Sequence, residues 1–419
     1  MQNLTFKHTK KYCYFTYLAM SSVFSLPPLL FATFKETYGI SYTLLGTLVL
    51  INFCTQLGID LIFSFLSKHF NIRLTVRIMP LITATGLGIY ALTPTLFPEY
   101  AYAGLITGTF IFSVASGLGE VLVSPIIAEL PSDNPKGDLS MLHSLYGYGV
   151  VLVVVVSTLF LHFVGSKYWM CLTLFWAILP VISSILLMTC QLPDLNMEQA
   201  KAEASRSKHR TKGLLLCMLL IFLGSSAENT MSNWISVYAE NSLKIPKIWG
   251  DIFGMALFAV LLAFTRTAYA KYGKNIHKTL TISMTGAIVC YITVALSQNA
   301  IVSLLACVAV GISTSMLWPG TLILMEEKIP YAGVSAYALM AAGGDFGASF
   351  APQSLGIIVD KIALTEWAQN VSVSLSLSAE QVGFKVGMFL ATIFPILGVI
   401  LLLYMKKHFK KPNKQEIKI

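Results

Sequence analysis

The chain has 419 residues, 55% of them hydrophobic and 12% charged, with a mean hydropathy of +0.70. That is more apolar surface than a soluble domain of this size can bury, so a soluble enzyme is excluded and a polytopic membrane protein is expected. The net charge of +9 would suit a nucleic-acid binder, but Lys and Arg lie in short segments between apolar runs, where the positive-inside rule accounts for them and no nucleic-acid partner is implied.

Apolar runs of spanning length fall at about 13–34, 41–66, 75–96, 101–128, 140–165, 168–192, 213–238, 248–270, 279–298, 300–325, 333–359 and 382–405. They predict an all-α membrane protein of twelve spans in two pseudo-symmetric six-helix lobes. Lys7, Lys10 and Lys11 precede the first run, which has no small-residue cleavage site, so it reads as a span and not as a removable signal. With loops assigned to alternating sides, the side carrying both termini collects 23 of the 29 Lys and Arg. That side is expected to be cytoplasmic, in a multi-pass protein of the cell (inner) membrane. The stretch 193–212 is the long polar connector and predicts a linker between an N-terminal lobe, 1–192, and a C-terminal lobe, 213–419, with a basic tail.

An internal repeat supports this division. Gly117, Pro125 and Pro131 of the fourth span have counterparts in Gly311, Pro319 and Pro330 of the tenth, and at an offset of 204 Gly46 pairs with Gly250 and Asn71 with Asn275. Parallel repeats of this kind place a ligand site between lobes at the bilayer midplane.

Within the spans, ionisable residues are the functional candidates, because a charge at the centre of a bilayer costs at least ~2.5 kcal/mol. Asp60, in the second span, lies eight residues before Lys68 and reads as a gating or lobe-clamping charge near the cytoplasmic boundary. Glu120 is the sole charge of a 29-residue run between Glu99 and Glu129 and sits about 14 Å deep if Glu129 marks the edge. It must be partnered, protonated or turned to water. Ser113, Ser116, Gly117 and Ser124 share its face, and Pro125 removes an N–H, freeing the carbonyl of Val121 and bending the helix. In the seventh span Glu228 is accompanied by Asn229, Trp234 and Tyr238. Arg266, five residues before Lys271, reads as a second gating charge that can snorkel to the surface. Trp318 precedes Pro319 in the tenth span, and Asp345 sits in Gly343-Gly344-Asp345-Phe346-Gly347 of the eleventh, with Ser349 continuing its face.

These residues divide into expected roles. Glu120, Glu228 and Asp345 are the proton-coupling candidates. Glu120, Glu228, Asn229, Trp234, Tyr238, Trp318, Asp345 and Ser349 are the substrate-binding candidates, and Asp60, Arg266, Pro125 and Pro319 are the gating ones. Aromatic faces stack on sugar rings and grip apolar drugs alike, and core packing is the competing reading for Trp234 and Tyr238. The seven cysteines lie in apolar runs with no CxxC pair and read as small core residues, so no metal site and no disulfide is expected. His143 is a lesser candidate for a proton path. No phosphate-binding loop, dinucleotide fingerprint or nucleophile–base motif occurs, so no cofactor and no enzyme activity is expected.

The chain resembles the major facilitator superfamily along its length, and within it the fucose permease branch of sugar–proton symporters. The resemblance rests on GLGEVLVSPIIAEL in the fourth span, where Glu120 stands at the family's functional glutamate. It rests also on GSSAENTMSNWISVY in the seventh span, which is similar to a Gly-x-x-x-Glu…Trp…Tyr pattern of sugar porters. Where that branch has a carboxylate in the first span, this chain has Ser21, Ser22, Ser25, Pro27 and Pro28. The resemblance implies a monomeric secondary transporter working by alternating access, with proton-coupled uptake of a sugar-like or other small polar organic solute. Two alternatives stand beside it: a proton-coupled drug or metabolite exporter, and a transporter-like receptor or intramembrane enzyme.

Overall fold

The structure, a computed structural model, describes residues 2–66, 70–133, 135–193, 208–273, 275–329 and 333–408. Most of the 193–212 linker lies outside that set, as do the side chains of Ser124, Pro125 and His143. In chain order the first half contains α1 (Gln2–Tyr38), α2 (Tyr42–Leu66), α3 (Ile72–Leu96), α4 (Ala101–Glu129), α5 (Pro135–Phe163) and α6 (Trp169–Thr189). The second contains α7 (Lys208–Val237), α8 (Lys247–Gly250), α9 (Leu257–Tyr272), α10 (Ile276–Leu296), α11 (Ala300–Thr314), α12 (Leu317–Lys328), α13 (Gly333–Ala363), α14 (Glu366–Leu375), α15 (Ala379–Ala391) and α16 (Ile393–His408).

Eleven segments among the described residues are long and apolar enough to cross a membrane. The remaining expected span, the eleventh in chain order, is α13, whose 31 residues are ample length but whose glycines and Asp345 lower its hydropathy. It packs along α2 and α7, and a helix that faces protein on two sides need not be apolar all round. Three of the expected spans are interrupted. The eighth is built from α8, a π-helical turn at Asp251–Ala256, and α9. The tenth breaks between α11 and α12, and the twelfth between α15 and α16. Sequence patterning misses α14, because its ten residues are too short to register as a span.

The repeat survives in atomic detail. Asn71 caps α3 by accepting from Leu74 N at 3.1 Å, and its carbonyl accepts from Thr75 Oγ1 at 3.0 Å. At the same offset of 204, Asn275 caps α10 by accepting from Lys278 N at 3.0 Å, and its carbonyl accepts from Thr279 Oγ1 at 3.0 Å. One local solution to the exposed amides of a helix start is used twice.

The packing is uneven along the bundle. At the end remote from the chain termini, the far end, a single apolar core draws on both halves: Phe31, Phe34, Tyr42 and Trp176 pack with Trp234, Tyr238, Tyr291 and Phe384. Toward the termini this core divides in two. Cys13, Tyr17, Met79 and Leu187 belong to a core of the first half alone, and Cys217, Met284, Met325 and Met405 to one of the second half alone. The halves are therefore fused at one end and separately packed at the other.

Of the seven cysteines, all free, Cys13, Cys190, Cys217 and Cys307 are core residues as expected, whereas Cys54 and Cys171 are exposed on the bundle's surface. A small apolar side chain is as compatible with lipid as with a core.

Candidate functional site

The centre of the molecule is set by close helix approaches. A Cβ at Gly117 of α4 would stand 3.0 Å from Ile59 Cβ and 3.2 Å from the Gln56 backbone, so α2 and α4 touch there. Glu120, one turn on, is thereby brought beside Asp60. On α13, Gly343 faces the Met218 carbonyl of α7 and Gly347 the Phe222 carbonyl. Asp345 is two residues from each, about 200° around the helix, and so points away from α7 toward α2 and α4. The carboxyl groups of Asp60 and Asp345 are near enough to act on one another, and Glu120 acts on both through its charge.

A second group lies beside this one. Arg266 Nη2 donates to Glu228 Oε1 at 3.0 Å and to Oε2 at 3.3 Å, while Arg266 Nε donates to the Ser315 carbonyl at 2.8 Å. That carbonyl is available because its helical partner would be the amide of residue 319. Position 319 is proline, which has none. Pro319 thus supplies an acceptor for the guanidinium at the break between α11 and α12. Tyr146 of α5 joins the two groups, since it feels the charges of Glu120, Glu228 and Arg266 together. Its ring is held edge-on by Phe24 at 5.5 Å and by Tyr17 at 6.4 Å. Glu120, Tyr146, Glu228, Asn229, Arg266 and Trp318 are all half-buried.

Several expectations change. Asp60 is 4% exposed and belongs to the central acids, not to a cytoplasmic boundary. Arg266 does not snorkel and does not clamp the lobes, because a guanidinium with fixed donors is better satisfied by the Glu228 carboxylate and a free carbonyl of its own half. Trp234 and Tyr238 share a face, as their spacing requires, but it is a packed one. Trp234 Nε1 donates to the Pro352 carbonyl at 3.0 Å, Tyr238 Oη to the Val294 carbonyl at 3.2 Å, and both rings meet Phe384. Ser349 is buried and donates to its own helix at the Phe346 carbonyl, 2.8 Å away. Asn229 is half-buried, its amide donating to the Ser225 carbonyl and hydroxyl at 3.1 Å. Trp318 lies flat on Gly344, where any side chain would collide with the ring.

Sequence reasoning missed a second set of polar residues at the far end. Asp360 of α13 accepts from the amides of Tyr42 at 3.3 Å and Thr43 at 2.6 Å, capping α2 from the other half. Glu380 pairs with Lys35 at 3.0 Å and accepts from Tyr42 Oη at 3.1 Å. Asp251, wholly buried in the π-helical turn, accepts from Ser236 at 2.5 Å and from Thr158 of the first half at 3.1 Å, with Lys247 at 3.4 Å. Lys247 also donates to the Leu29 carbonyl at 2.8 Å. A signal was present in the i, i+4 spacing of Lys247 and Asp251, yet both sit at a loop edge where charges are ordinary.

A helical membrane bundle of two repeated halves, with isolated acids at its centre and its helix ends latched at one side, is the architecture of a transporter and not of an enzyme. The chain belongs to the Major Facilitator Superfamily, whose family model matches residues 13–352. Solved structures agree on the fold. A D-xylose-proton symporter aligns with a TM-score of 0.74 at 15% identity over 97% of this chain and 98% of that one. The nucleoside transporter NupG aligns with a TM-score of 0.67 at 14% identity over 96% and 99%. The E. coli Fucose:proton symporter, FucP, aligns with a TM-score of 0.58 at 14% identity over 94% and 99%. Identities this low carry the fold alone. No curated protein matches the chain by sequence.

Proposed function

We propose that the chain is a secondary transporter that couples movement of a small polar organic solute to protons by alternating access. The observation that carries this reading is the convergence of Asp60 and Glu120 from the first half with Asp345 from the second, three acids whose charges act on one another. A proton bound there bridges the halves, and its loss leaves like charges facing one another, which pushes them apart. Loading is thereby linked to the motion of one half against the other. The divided packing near the termini supports a conformer closed at the far end. With the basic loops cytoplasmic, it opens inward in the cell membrane. The halves move as lobes joined by the 193–212 linker, and the working unit is a monomer. A sugar is the solute named for two of the solved structures above, and that is the support for a sugar-like solute here.

The test is transport in proteoliposomes carrying a pH indicator. Wild-type protein is expected to move protons when a transported solute is placed on one side and to accumulate that solute under a pH gradient. Glu120→Gln is expected to abolish gradient-driven accumulation while retaining solute-for-solute exchange. Accumulation that survives in this variant removes Glu120 from coupling and overturns the proposal.

A further inference from the structure

Resting on the sugar-like reading above, we infer that a cleft on the far-end side of the central acids is a subsite for the hydroxyl-bearing edge of an uncharged polyol, read by Asn52, Thr109 and Asn233. The cleft lies between α1, α2 and α4 of the first half and α7 of the second. Asn52 precedes Asp60 on α2 by eight residues and Thr109 precedes Glu120 on α4 by eleven, about 12 and 16 Å along helices that run toward the end where the termini lie. Solute and proton are therefore held at different levels of the molecule, and neither displaces the other.

The polar atoms of the cleft are sorted by the bonds they already make. Asn52 Oδ1 accepts from Ser113 Oγ at 2.6 Å and from Gln56 Nε2 at 3.1 Å, which leaves its amide NH2 to donate. Asn233 gives its NH2 to the Asn229 carbonyl at 2.9 Å, which leaves Oδ1 to accept. Thr109 is 2% exposed, and its hydroxyl has no hydrogen-bond partner among the described residues. That is out of character for this bundle. Thr173, Thr230 and Thr314, all as deeply buried, return their hydroxyls to the carbonyl four residues back at 3.0, 2.7 and 2.9 Å. A buried hydroxyl turned away from that acceptor is costly, and a ligand hydroxyl, which both donates and accepts, relieves it.

A donor, an acceptor and a hydroxyl together match neighbouring hydroxyl groups on a solute, since each of those donates once and also accepts. None of the ten lining residues is ionisable and seven are apolar, Phe24, Phe31 and Phe112 among them. A carboxylate or ammonium group placed there would lose its water with no opposite charge to meet it, whereas the C–H faces of a polyol suit the rings. The cavity is small. Its volume of about 20 Å³ exceeds the roughly 10–15 Å³ that one water requires and falls well short of a sugar ring, so the cleft takes one edge of the solute. Phe24, which meets Tyr146 edge-on at 5.5 Å, marks the side on which the rest of the solute faces Glu120.

The experiment uses full-length protein. D-glucose, D-galactose, D-xylose and myo-inositol, with D-glucuronate as a charged counterpart, are tested for binding in detergent by their effect on the thermal midpoint and for exchange in proteoliposomes. At least one neutral probe is expected to bind, and one of its monodeoxy forms to bind about tenfold more weakly, equivalent to ~1.4 kcal/mol. Thr109→Val keeps the side-chain shape and removes the hydroxyl. Checked for a monodisperse elution profile, it is expected to bind the parent about tenfold more weakly and to lose the distinction between parent and deoxy form, while Thr109→Ser retains both. Discrimination undiminished in Thr109→Val overturns the subsite and leaves a sugar-like solute standing. Tighter binding of D-glucuronate than of every neutral probe, or no binding of any probe, overturns the inference. Exchange that depends on Thr109 yet gives no accumulation under a pH gradient keeps the subsite and overturns the proton-coupled reading.

Discussion

The acids at the far end and those at the centre are the same chemical groups in opposite circumstances. Asp360 and Glu380 of the second half receive hydrogen bonds or an ammonium group from the first, and Asp251 receives them from both. Their charge is matched wherever the halves are closed, so they act as a latch. The charges of Asp60, Glu120 and Asp345 act against one another. On the proposed reading, acids arranged in this second way take up a proton before the halves rest together, whereas the far-end acids serve closure.

The largest effect that would sharpen this contrast concerns the matched pair of Glu228 and Arg266. Arg266→Met leaves Glu228 without its guanidinium, and removing one partner of a buried pair costs about 3–5 kcal/mol. The Arg266 side chain is 35% exposed and that of Glu228 18%, so the loss is expected at or below about 3 kcal/mol, read as a lower thermal midpoint in detergent. The double variant Arg266→Met with Glu228→Gln is expected to recover most of it. Equal destabilisation in the double variant would mean that Arg266 matters for packing around Ser315 and Pro319 and not for its charge.

A smaller effect tests the latch. Asp360→Ala removes two amide hydrogen bonds and an acid from the start of α2, together about 1–2 kcal/mol. All of that stabilisation belongs to the conformer closed at the far end, so the population should shift about tenfold toward far-end opening. In a background without native cysteines, Ser41→Cys is expected to react correspondingly faster with a hydrophilic thiol reagent. An unchanged rate would show that the aromatic core of Tyr42, Trp234 and Phe384 holds this end closed by itself.

Sequence reading recovers the spans because twenty apolar residues make a strong signal, and it fails at α13 and α14 for related reasons. A span that faces protein along two neighbours can be polar, and a ten-residue helix is too short to register. The central acids Glu120, Glu228 and Asp345 were legible because a lone carboxylate in an apolar run is costly. What the sequence could not supply was rotation. The spacing of Trp234 and Tyr238 fixes that they share a face and not which neighbour that face meets, and it proved to be Phe384. Distance to Lys68 or Lys271 measured depth for Asp60 and Arg266, whereas their roles depended on which helix stood opposite. Asp251, Lys247 and Asp360 escaped because each lies at a loop edge, and only the fold brings those edges together across the halves.

The smallest expected effect comes from an acid outside the spans, at the end where the termini lie. Asp138, near the start of α5, pairs with Lys10 and accepts from Tyr14 Oη at 3.3 Å, tying α5 to α1. Partial burial pushes its carboxyl up, but hydrogen bonds from Lys10, Ser132 and Tyr14 and the Lys10 charge outweigh that and hold it below the ordinary carboxylate range. A group whose folded pKa is depressed contributes stability above its unfolded value, about 3.9 for Asp, and that contribution is lost as pH falls through the folded value. Asp138 therefore stabilises the protein fully at neutral pH and ceases to do so only in strong acid. Since the pair is partly exposed, its worth is about 1 kcal/mol or less. Lys10→Gln is expected to lower the thermal midpoint slightly at pH 7 and by less near pH 3, where the wild type has begun to lose the same interaction. If Lys10→Gln lowers the midpoint equally at both pH values, the contact of α1 with α5 depends on the lysine stem and not on the ion pair.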